Sequence, residues 1–129
     1  MMLFAPKVDK HKEEMMALIR RRRRQILVHS CLYYKMSANI ISDETFDKWC
    51  AELRDLHAKY PQYMDCGVYD KEFKKWGGFS GFDLPTYEPA VVRKAEQLLR
   101  IQKEMEKMDN EYSQICKTSR ANIGATAER

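Results

Sequence analysis

No stretch of this chain stays apolar for the ~20 residues that a membrane-spanning helix needs. Its first residues, "MMLFAPKVDK", lack the long apolar core of a secretion signal. A cytoplasmic location without membrane association is therefore expected. Cysteine is sparse and scattered. Cys31, Cys50, Cys66 and Cys116 form no C-x-x-C pair and none of the usual zinc spacings, so free thiols are expected and no metal is. Glycine is scarce, and four of the five fall between residues 61 and 88. Cationic excess is confined as well. The net charge is +4, yet residues 1–30 carry eight basic and three acidic side chains and the remainder is nearly balanced. A general nucleic-acid binder spreads its basic charge over a face, so nucleic acid is not the expected partner. With 129 residues, 44% apolar and 33% charged, the composition is that of a globular domain rather than a disordered chain.

What is present reads as helix. Met15, Ile19, Arg22, Ile26, His29, Tyr33 and Met36 follow alternating spacings of four and three, predicting a first helix over about 8–36. The run Arg20–Arg24 lies inside it. Consecutive helical residues point about 100° apart, so five arginines cannot share one solvated face. The stripe singles out Arg22 as the inward one, pairing with a carboxylate from a neighbouring helix or with a ligand phosphate. His29 is the other polar interruption, either a hydrogen-bonded core imidazole or a contact for a ligand or partner.

Ser42 is a serine N-cap followed by acidic residues, where the helix dipole favours negative charge. Phe46, Trp49, Cys50, Leu53, Leu56 and Tyr60 then predict a second helix over about 42–60, which Pro61 ends. A third helix, about 89–116, starts at Pro89 and carries Val91, Ala95, Leu98, Ile101, Met105, Met108, Tyr112 and Ile115. Its length suits a coiled-coil contact with a second copy. Residues 118–129 lack periodicity and read as a flexible tail after a single domain over 1–117.

Between the second and third helices, residues 61–88 hold half of the fourteen aromatics. Aromatics among glycines predict a structured loop or a small hairpin, with "WGGFSGF" as its tight turn. Trp76, Phe79 and Phe82 either fill the core or line a pocket for a flat ligand. The fold class is thus mainly α: a helical hairpin, an aromatic loop and a long third helix.

One constellation carries chemistry. Tyr33 and Tyr34 close the first helix, and Asp43, Phe46 and Asp47 open the second, spaced to share one face. Rings beside two carboxylates suit a flat cationic ring attached to a sugar. The rings stack on it with cation–π attraction, and the carboxylates accept hydrogen bonds from ribose hydroxyls.

Residues 18–62 resemble the N-terminal domain, domain Ia, of bacterial NAD-dependent DNA ligases. Tyr33-Tyr34, Ile41-Ser42-Asp43, Phe46-Asp47, Leu53, Leu56 and Tyr60-Pro61 match its motifs without gaps. The resemblance implies that Tyr33, Tyr34, Asp43, Phe46 and Asp47 contact the nicotinamide mononucleotide (NMN) half of NAD. Phe46 departs from the usual tyrosine, and Ser37 and Asn39 replace an aspartate and a proline. No K-x-D-G adenylation motif occurs, so neither ligation nor any catalytic residue is expected. The arginine-rich first helix and Gly81-Phe82-Asp83-Leu84-Pro85 are also similar to small stand-alone ligase-like proteins of phages and prophages. Two functions follow. One is a stand-alone, phage-encoded NAD or NMN binding module without catalysis. The other is an inhibitor that binds a host defence or DNA-metabolism protein through the basic helix or the aromatic loop.

Overall fold

In the computed structural model, residues 9–127 are described, with side chains described through Thr118. Four α-helices account for most of them: α1 (Lys10–Met36), α2 (Asp43–Lys59), α3 (Asp70–Lys74) and α4 (Pro89–Ala127). A single 3-10 turn, Pro61–Tyr63, follows α2, and there is no strand among the described residues. The loop expected over 61–88 is therefore built from turns and one short helix, not from a hairpin of strands. None of the described helices is long and apolar enough to cross a membrane.

Local chemistry sets the boundaries. The Asp9 carboxylate accepts from the Lys12 amide at 3.2 Å and caps α1. At the other end Ser37 turns left-handed (φ 50°), and the Ala38 amide closes back on the Leu32 carbonyl at 2.9 Å. Ser42 caps α2 as expected, its hydroxyl accepting from the Thr45 amide at 3.1 Å. Pro89 opens α4, which continues through Ala127 rather than ending near 116. Residue 8 of the expected first helix and residues 128–129 of the expected tail lie outside the described residues.

The chain forms two compact units, divided between Ala95 and Glu96. In the first, α1 packs on α2, with Ile19, Ile26, Leu27, Cys31 and Leu32 buried along α1 and Cys50, Leu53 and Leu56 along α2. Phe73, Leu84, Val91 and Ala95 are buried in the same unit. In the second unit, α4 is exposed along Ile101, Met105, Met108, Tyr112 and Ile115.

The arginine run divides its labour. Arg23, not Arg22, is the fully buried member, at 0% exposure. Its guanidinium donates to the Asp70 carboxylate at 2.7 Å and to the Val68 and Met64 carbonyls at 3.0 Å. It also donates to His57 Nε2 at 3.2 Å and stacks 5.1 Å from the Phe73 ring. Arg20 adds a bond to the Cys66 carbonyl at 2.7 Å, so Arg20 and Arg23, one turn apart, hold the 64–70 segment against α1. Arg22 faces α2, where Glu52 accepts from it at 2.9 Å. Arg21 and Arg24 are exposed.

The physical reason for the shift from 22 to 23 is which flank of the Ile19–Ile26 line faces inward. At about 100° per residue, Arg23 and Leu27 lie on one side of that line and Arg22 and His29 on the other. The buried face takes in the first side, through Ile19, Arg23, Ile26, Leu27 and Ser30. The expected stripe runs along the opposite flank, and its Tyr33 is exposed.

Candidate functional site

A cleft of about 410 Å³ opens where α1 ends and α2 begins. His29, Ser30, Tyr33 and Tyr34 line it from α1, and residues 38–42 form its floor at the connection. Asp43, Phe46 and Asp47 face it from the first turns of α2, and Phe79 and Ser80 close it from the aromatic loop. The five residues singled out as ligand contacts, Tyr33, Tyr34, Asp43, Phe46 and Asp47, thus surround one cavity. The left-handed Ser37 reverses the chain tightly enough to bring the two helix ends together.

Its electrostatics are one-sided. Among the described residues the lining carries two carboxylates and no lysine or arginine. His29 adds no charge near neutral pH, because burial pulls its imidazole below the ordinary histidine range; its ring lies edge-on to Trp49 at 5.3 Å. Asp43, the first residue of α2, sits at the positive end of its dipole, and Asp47 follows one turn further along. Cys50, one turn further on, is buried: burial, then the Asp47 charge, pushes its thiol up to about 11, against an opposing effect of Arg54. Among the described residues, no three or more His, Cys, Asp or Glu side chains are grouped to hold a metal.

The loop wall is anchored rather than draped. Tyr34 Oη and Ser80 Oγ share a hydrogen bond at 2.9 Å, and Trp76 Nε1 donates to the Ser80 carbonyl at 2.7 Å. Phe82 packs edge-on against Tyr34 at 5.5 Å. From α2, Arg54 donates to the Gly78 carbonyl and stacks on Phe79 at 4.3 Å. Gly78 has φ +89°, and a β-carbon there would run into the Arg54 side chain. Below the wall, Gly81 lies directly on the buried Ser30 hydroxyl, which has no hydrogen-bond partner among the described residues.

Of the remaining candidates, His29 and Phe79 line the cleft, whereas Trp76 and Phe82 stand behind its wall. Arg22 is engaged with Glu52 and Gln25 and does not line it. Sequence reasoning missed Ser30, Ser80 and Arg54. The first two are small polar residues with no periodic signal. Arg54 is one helical turn beyond Cys50, and only the fold places it beside "WGGF".

Residues 12–66 match the DNA ligase-like, N-terminal NAD+-binding domain. The comparisons with curated proteins and with solved structures found no match. The ligase-like segment spans nearly all of α1, the connection, α2 and the 3-10 turn, ending at Cys66. It therefore includes Tyr33, Tyr34, Asp43, Phe46 and Asp47 and stops short of Phe79 and Ser80. No catalytic domain of a ligase accompanies it among the matches.

Proposed function

We propose that this cleft binds the nicotinamide mononucleotide moiety, presented as NAD+ or as free NMN, and that it holds this ligand without turning it over. The single observation that carries the reading is the convergence of Tyr33, Tyr34, Phe46, Asp43 and Asp47 on one cavity inside the ligase-like segment. The aromatic rings offer stacking faces to the pyridinium, worth about 0.5–2 kcal/mol as a cation–π contact. Asp43 and Asp47 accept hydrogen bonds from the ribose hydroxyls and balance the ring's positive charge. The lining supplies no activated nucleophile and no cation to stabilise a phosphoryl leaving group, which favours binding over catalysis.

Isothermal titration of the chain with NAD+ and with NMN tests this reading. Saturable binding is expected for both, weakened about tenfold or more in Asp47→Ala through loss of a charge-assisted hydrogen bond. No heat from either ligand at millimolar concentration, or affinity unchanged in Asp47→Ala, would overturn it.

A further inference from the structure

The second unit offers a surface that the nucleotide cleft does not use. Along α4, Ile101, Met105, Met108, Tyr112 and Ile115 recur at spacings of four and three and are 46–70% exposed. This is the alternation of a coiled-coil seam, about 21 Å long. Five large apolar side chains in one line exceed the scattered apolar residues of an ordinary surface.

The charges beside the seam say what covers it. Flanking positions hold Gln102, Glu104, Asp109, Glu111, Cys116 and Thr118, with three acids and no base. The far side holds Lys103, Glu106, Lys107 and Lys117, three bases to one acid. Acidic charge thus borders the apolar line, and the basic charge is turned away from it.

This pattern opposes self-pairing. In a parallel pair, Glu104 of each copy faces Asp109 of the other. In an antiparallel pair aligned with Leu98 opposite Ile115, Glu104 of each copy faces Glu111 of the other. Both orientations set like charges together, so the coiled-coil contact with a second copy expected from the length of this helix is not the one its charges favour.

We propose that the Ile101–Ile115 face of α4 docks an amphipathic helix of a different protein, one whose apolar seam is bordered by lysine or arginine. The apolar line supplies the affinity, and the acidic borders select the partner and exclude a second copy.

The test uses the full chain and two synthetic helical peptides that share one leucine seam. One carries lysine at every flanking position and the other glutamate. The lysine peptide is expected to bind about tenfold or more tightly than the glutamate peptide, and less tightly as salt rises. Met108→Glu is expected to abolish binding while circular dichroism shows unchanged helix. The double variant Glu104→Lys/Glu111→Lys is expected to exchange the preference. Sedimentation of the chain alone should give a monomer. Equal affinity for the two peptides, binding to neither, a preference unaltered by the charge reversal, or a stable dimer of the chain alone would each overturn the proposal.

Discussion

Arg23 shows how much one side chain can organise. A guanidinium at 0% exposure is tolerable only because a carboxylate, two carbonyls and a neutral imidazole accept its protons. Arg23→Met leaves those acceptors facing an apolar chain and is expected to cost about 3–5 kcal/mol in urea denaturation. Arg22→Met removes a partly solvated pair with Glu52 and should cost under about 1 kcal/mol. The reverse order would mean that Arg22 is the structural arginine. His57 adds a pH dependence. Burial, then the neighbouring Arg23 charge, lowers its imidazole to about 4 from the ordinary 6.5. Between those values the unfolded chain takes up a proton that the folded chain refuses, so stability falls as pH drops from about 6.5 to about 4. His57→Gln, which keeps an acceptor for Arg23, should flatten that part of a thermal-melt pH series; an unchanged slope would assign it to other groups.

At the scale of elements, the helices were legible and the loop was not. Stripes of apolar residues, Ser42 as a cap and Pro61 and Pro89 as punctuation define α2 and the start of α4 because local chemistry decides them. The apolar stripe of α1 locates its buried face only to within one flank, because Arg22 and Arg23 straddle the Ile19–Ile26 line and only the packing of the 64–70 segment selects Arg23. Residues 64–70 escape any local reading, since their conformation depends on Arg20 and Arg23 more than forty positions earlier. The clustering of Tyr33, Tyr34, Asp43, Phe46 and Asp47 around one cleft follows from the sequence, because they lie at the facing ends of two helices whose boundaries local chemistry sets. The placement of Ser80 and Arg54 does not, because a long-range contact brings the loop to the cleft. This wall makes its own prediction. Gly81→Ala drives a methyl group into the buried Ser30 hydroxyl and should destabilise the fold by about 1–3 kcal/mol. Pairing it with Ser30→Ala should recover part of that loss; equal destabilisation in the double variant would place the clash elsewhere.

The whole molecule joins a nucleotide-sized cleft in one compact unit to an acidic-bordered apolar helix face in the other. Every residue of the cleft lies before the division at Ala95, so a chain ending at Arg100 should keep both its cooperative melt and its affinity for NMN. Loss of NMN affinity with the melt intact would give the rest of α4 a part in the site. Under the proposed function, one cavity, built from the ligase-like segment and closed by the aromatic loop, takes a nicotinamide nucleotide. Backbone amide NMR shifts during an NMN titration test this residue by residue. Perturbations concentrated at Tyr33, Tyr34, Asp43, Phe46, Asp47, Phe79 and Ser80, saturating together, are the predicted result. A silent titration, or shifts that cluster away from the cleft, would contradict it.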